Sequence, residues 1–204
     1  MLSAYVREHT PSVRGKGPSR EGATEAAAKP ATDVQAALSV LGRRSKPELD
    51  RGPIDLSNLD LDGVRLPKSD FRNAILVGTS LFGSDFTAAN LSGAKLGSAD
   101  FGKASLSHAN LSGTSSSGIK LTFTELDGVN FRNATMYGAE LFGTNLTSAD
   151  LSGADIRHSR DLESSSLGPY TTGDERTHLP EHVARPPNWP KEIDEGFRPD
   201  APKG

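Results

Sequence analysis

Residues 89–108, ANLSG AKLGS ADFGK ASLSH, decide the fold of this 204-residue chain. Leu91, Leu96, Phe101 and Leu106 recur at every fifth position, and Ala89, Ala94, Ala99 and Ala104 stand two residues before them. A helix repeats its apolar face every ~3.6 residues and a half-buried strand every ~2, so a period of five belongs to neither. Followed outward, the series runs from Leu56 to Ile156. Twenty of its 21 positions are large and apolar, and only Ser116 breaks it. Alanine fills ten of the 21 positions two residues earlier.

One large and one small inward residue per unit suit a tube too narrow for two bulky side chains. The residue between them is polar, as at Asp55, Asp100, Asn110 and Asp150. The last position of the unit is often glycine (Gly63, Gly83, Gly93, Gly113, Gly143, Gly153), which supplies the backbone angles of a sharp corner. A fixed short period is the signature of a solenoid.

The units Ala-Asn-Leu-Ser-Gly at 89–93 and 109–113 and Ala-Asp-Leu-Ser-Gly at 149–153 resemble the A-(D/N)-L-x-x motif of the pentapeptide-repeat family. The resemblance covers about half the chain. It implies an all-β fold, a right-handed quadrilateral parallel β-helix with four repeats and therefore twenty residues per coil. An internal duplication agrees: residues 71–94 align with 131–154 at an offset of 60, with 14 of 24 positions identical. Sixty residues are three whole coils, so each side chain returns to its own face.

The flanks read differently. Thr32 to Arg44 is predicted as one amphipathic helix, with Val34, Ala37, Leu38 and Leu41 on one stripe, Thr32 or Asp33 as N-cap and Gly42 as stop. A helix there would cap the first coil, as solenoid ends require. The expected organisation is a short helix and flexible linker over 1–31, the capping helix over 32–44, the β-helix over 54–158 and a Pro-rich, partly disordered C-terminal strap over 159–204, anchored by Trp189. After Ile156 the phase breaks at Asp161, and Leu162 and Leu167 continue it one residue late, which predicts a bulged last turn. The N-terminal and C-terminal segments also resemble stretches of longer actinobacterial pentapeptide-repeat proteins, some of them membrane-associated. This implies a shortened member of that group or a mis-assigned start.

Composition narrows function. Hydrophobic residues are 34%, cysteines are absent and the net charge is −3, which excludes disulfides and thiolate metal sites and gives no bulk attraction for nucleic acid. No stretch approaches the ~20 apolar residues of a membrane span, so a cytoplasmic location is expected. No catalytic or cofactor motif is present, and His178 and His182 are separated by Pro180, which breaks a helical metal pair. The regular aspartates read as a solvated face. Catalytic, cofactor and metal residues are therefore expected to be none.

Two irregularities remain. Ser116 reads as a packing defect between Leu96 and Met136, which predicts that Ser116→Leu raises the melting temperature. The outward apolar residues Ile75, Val77, Phe82, Phe123, Tyr137 and Phe142 read as a protein-contact patch. The function expected from the residues is a non-catalytic interaction scaffold for an unidentified protein partner, with dimerisation open. Two alternatives come from the resemblance: a DNA-mimicking modulator of DNA gyrase, as some family members are, or a soluble remnant of a membrane-associated protein. Residues 54–158 hold 11 acids and 8 bases, with Lys68, Arg72, Lys95, Lys103 and Arg132 interrupting any acidic stripe.

Overall fold

The computed structural model describes residues 2–13, 30–43 and 53–191. From Asp55 onward every fifth residue makes a single parallel bridge to the residue four repeats later: Asp55 to Ile75, Asp60 to Ser80, Arg65 to Asp85, Asp70 to Asn90, and so on to Glu140 with Arg160. Four such bridge columns define a four-sided right-handed coil. We call the sides A to D, after the columns that begin at Asp55, Asp60, Arg65 and Asp70. Neighbouring coils lie ~4.8 Å apart, so a little over five coils make a rod roughly 25 Å long.

The period of five follows from what each position must do. The large central residues and the small residues two before them are buried along the tube, from Ile54 and Leu56 to Ala154 and Ile156. Phe71, Phe86 and Phe101 climb the interior as a staircase, each three repeats on, one side across and one level up. Their rings meet edge to face at 6.2 and 5.8 Å.

All 21 corners from residue 58 to 158 place their second residue in the left-handed region, ten of them with glycine. At several corners glycine is matched to the side chain one coil below. A Cβ on Gly78 would stand 2.8 Å from Asn58 Oδ1, one on Gly143 would stand 2.5 Å from Phe123 Cδ1, and His108, Asn73 and Asn133 lie in the same way over Gly128, Gly93 and Gly153. Above a corner that is itself glycine the space is open, as at Gly113 and Gly138. Gly113→Ala should therefore cost only the left-handed penalty, about 1–2 kcal/mol. Gly128→Ala should cost more, and His108→Gly should recover the excess. Chemical denaturation of the three variants checks this, and equal losses at Gly113 and Gly128 would refute it.

Ser116 is fully buried, as the repeat requires, but it is not a simple void. In its coil the small inward position is taken by Ile119, also fully buried, where the coils below and above have Ala99 and Ala139. The Ile119 amide bonds to Ser116 O at 3.1 Å across the same corner. Large and small have exchanged places, so Ser116→Leu alone overfills the coil at a cost of about 1–3 kcal/mol. The expected rise in melting temperature belongs instead to the double change Ser116→Leu/Ile119→Ala. A double-mutant cycle on thermal melts reads the coupling, and additive effects would contradict it. The Ser116 hydroxyl is left without a partner, which adds to the benefit of replacing it.

The first coil is closed by side chain and backbone together. Within the rod each bridge amide donates to a carbonyl of the coil below, as Ile75 does to Ile54. The amides of Asp60 and Asp70 have no such residue below them and donate to Pro11 O and Gly42 O, both at 2.8 Å. That of Arg65 donates to Gln35 Oε1 at 2.9 Å, while Gln35 Nε2 donates to Arg65 O at 2.8 Å. A glutamine amide thus stands in for a peptide group.

Gln35 belongs to helix α2, Thr32–Leu41. It is shorter than the 32–44 span expected, because Gly42 ends it and turns its carbonyl to the rod. Its N-cap is Ala31, not Thr32 or Asp33. Asp33 instead accepts from Tyr5 Oη at 2.7 Å, which fastens α1, Leu2–His9. Residues 10–13, expected within a free linker, run along the rod, with Ser12 bridged antiparallel to Leu59. The remainder of that linker expectation, and the disorder expected beyond Lys191, lie outside the described residues.

The ladder continues past residue 158 but lengthens. Arg160 still pairs in regular register with Glu140, and Leu146 N donates to Ser166 O one residue beyond the usual spacing. Thr172 then follows Asp150 by 22 and His178 follows Asp155 by 23. The last coil thus gains one residue per side, beginning at Asp161, which takes the left-handed conformation. Buried Leu162, Thr171 and Thr177 fill it. The buried indole of Trp189 closes the end, its Nε1 donating to Thr171 O at 3.0 Å.

Candidate interaction site

The outward apolar residues fall on corners rather than faces. Phe82, Phe123 and Phe142 share the corner between sides B and C, whereas Val77 and Tyr137 share the corner between sides A and B. Ile75 lies on side A, bridged to Asp55 and Lys95. Side B is therefore a flat strip with an apolar edge on each flank. Phe123 is 52% exposed, Phe142 49%, Tyr137 45% and Val77 39%; Ile75 and Phe82 are half-buried. Phe123 and Phe142 meet edge to face at 5.2 Å, and Lys103 Nζ stands 5.6 Å from the Phe82 ring.

Phe123 carries a further signal. Its φ is 56°, and among the described left-handed residues it is the one large apolar side chain. A bulky residue in that region stores strain of order 1–3 kcal/mol. Burial does not compensate it, because the ring is half exposed.

Side B also has its own charge pattern. Up the axis its outward residues read Asp100, Lys120, Glu140, Arg160, each bridged to the next. Among the described residues no ion pair joins them. Elsewhere on the rod three arginines are engaged: Arg72 with Asp70 at 2.7 Å, Arg132 with Asp150 at 3.0 Å and Arg157 with Asp155 at 2.7 Å. No side presents an unbroken acidic column.

The regular carboxylates and amides are not simply a solvated face. Each Asp or Asn turns back to cap its own corner, accepting from the amide two residues on. Examples are Asp85 with Thr87 at 3.0 Å, Asp100 with Gly102 at 2.9 Å and Asn110 with Ser112 at 3.0 Å. Burial pushes the Asp150 carboxyl up, but the Ser152 hydroxyl and amide and the Arg132 guanidinium outweigh it and hold it below the usual carboxylate range. Burial likewise acts on Asp155, and the Arg157 guanidinium and amide outweigh it in the same way. Such groups stay ionised as turn caps, which is the opposite of a poised general acid.

A groove of about 500 Å³ lies between the corner at 157–159 and strap residues 179–185. Its basic side chains have structural work already. Arg157 is forked on Asp155, Arg185 donates to Pro190 O, Thr177 O and Asp174 O, and His182 Nε2 donates to Leu162 O at 3.2 Å. Among the described residues no cluster has the ligands to hold a metal ion, and no helix is long and apolar enough to cross a membrane.

By architecture the molecule is a four-sided parallel β-solenoid with one candidate contact strip. A family model for pentapeptide repeats matches residues 54–87, 84–122 and 124–160 in eight copies, more than half of the chain, and the chain belongs to that family. Among solved structures it is similar to full-length QnrB1, a plasmid-mediated fluoroquinolone resistance protein, at 20% identity over 56% of this chain and 84% of that one, with a TM-score of 0.36. It is also similar to the pentapeptide repeat protein Rfr23 from the cyanobacterium Cyanothece 51142, at 22% identity, 72% and 95% coverage and a TM-score of 0.29. A third, from the Arabidopsis thaliana thylakoid lumen, gives 31% identity, 54% and 72% coverage and a TM-score of 0.24. No curated protein matches the chain.

Proposed function

We propose that this protein is a non-catalytic interaction scaffold whose contact surface is side B with its two apolar edges, comprising Val77, Phe82, Phe123, Tyr137 and Phe142, with Ile75 adjoining it on side A. The observation that carries the reading is Phe123: a large apolar residue held in a strained corner, half exposed, where Gly63, Gly83 and Gly143 of the same corner column have no side chain. Strain retained without burial marks a site kept for something other than stability.

The corner-capping use of the aspartates supports a scaffold over an enzyme. The lack of an unbroken acidic column on any side weighs against the gyrase-modulating alternative, and absence of supercoiling inhibition at micromolar protein would dismiss it. Phe82→Glu/Phe142→Glu should lose a specific protein partner in a pull-down while melting as the wild type does. Phe123→Asn, which keeps a residue tolerant of the left-handed region, should do the same. Retention of the same partner by both variants would refute the reading.

A further inference from the structure

We propose that side B binds side B of a second copy of this chain in an antiparallel two-fold dimer. The inference rests on the contact surface just described and names its occupant. It begins from the column Asp100, Lys120, Glu140, Arg160, whose signs alternate at single-coil spacing. Such a column is complementary to its own inverse. With a two-fold axis perpendicular to the contact plane's rod direction and passing between Lys120 and Glu140, Asp100 faces Arg160 of the second copy and Lys120 faces its Glu140. Symmetry repeats both pairs. A parallel dimer, with its two-fold along the rod, would instead set each charge against itself. Closed symmetry thus admits one orientation of this face and rejects the other.

The flanking edges fit the same axis, although they were not used to place it. Coils related by it carry Phe123 on one and Phe142 on the other, so the edge-to-face pair of one copy meets the inverted pair of the second in a four-ring cluster. On the opposite edge Tyr137 faces the corner of Ser117 and Gly118, where the side chains are small. The charges needed are not consumed within the chain, since no ion pair joins them among the described residues. Phe82 and Val77 lie on the second level of the rod, outside the overlap, and stay available to another protein. Four coils at ~4.8 Å give a contact about 20 Å tall; a strip this small belongs with weak, transient interfaces, so association should be reversible, in the micromolar range at best.

Sedimentation velocity on the full chain tests this with outward-facing charge changes at Lys120 and Glu140 that leave the core intact. Wild type should dimerise. Lys120→Glu and Glu140→Lys should each be monomeric at the same concentration, with dissociation constants raised about a hundredfold by like charges met twice across the axis. The double variant Lys120→Glu/Glu140→Lys should dimerise again, and so should an equimolar mixture of the two single variants. Phe82→Glu should not affect the dimer, and Phe142→Glu should break it. A wild type that stays monomeric to 100 μM (about a hundredfold above a micromolar dissociation constant) overturns the dimer. So does a dimer that the single charge changes leave untouched. Either result leaves the wider contact-surface reading to the pull-down, which compares a different set of variants and so fails separately.

Discussion

Phe86→Ala should destabilise the rod by about 3–5 kcal/mol, the range for truncating a buried phenylalanine. Phe86 is the middle ring of the staircase and meets Phe71 at 6.2 Å and Phe101 at 5.8 Å. Each edge-to-face pair adds about 0.5–1.5 kcal/mol beyond its buried area. Phe131, equally buried, shares no such pair among the described residues, so Phe86→Ala should cost about 1–3 kcal/mol more than Phe131→Ala. Urea denaturation of the two variants makes the comparison. Equal losses would mean that the rings act only as volume and that the staircase has no energetic standing.

Trp189→Ala should cost a similar amount, about 3–5 kcal/mol, but locally. The indole covers the last, lengthened coil, and Gly173 lies so close beneath it that a Cβ there would strike the ring. Each coil of a solenoid is supported only by its neighbours. Hydrogen exchange should therefore lose protection at Leu151 and Ile156, whose amides donate to Thr172 O and His178 O. Leu91 and Phe101, bonded to Asn110 and Lys120, should keep theirs. Uniform loss along the rod would show the coils to be one cooperative unit rather than a stack of nearly independent ones.

The repeat was legible because its physics is local and periodic. One large and one small inward residue in five, with a corner after each, leave a pattern that needs no partner to be recognised. The matching of glycine to the corner one coil below is also present in the sequence. Asn58 with Gly78, His108 with Gly128 and Phe123 with Gly143 are each one coil apart, and comparing each corner with the next coil would have shown it. The exchange of Ser116 and Ile119 also required reading two columns together, where one column alone suggested a void.

Other features were out of reach. Nothing about Gln35 as an amino acid says that its amide will replace a peptide group at Arg65. The gain of one residue per side after Asp161 has no repeat to betray it. The outward apolar residues were legible from the repeat phase, but their placement on the coil was not. Phe82, Phe123 and Phe142 follow central residues, and only the turn geometry sets them on one edge and leaves side B between two edges.

The central claim is that four sides of five residues close one coil, so that residues four repeats apart are neighbours. The chain has no cysteine, so engineered pairs report cleanly. Ser115 and Thr135 are bridged, exposed and one coil apart, within the ~4.4–6.8 Å Cα separation that a disulfide spans. Ser115→Cys/Thr135→Cys should cross-link under mild oxidation within one chain, whereas Ser115→Cys/Asn130→Cys, three repeats apart and on adjoining sides, should not. Cross-linking of the second pair and not the first would mean a three-sided coil and would contradict the account.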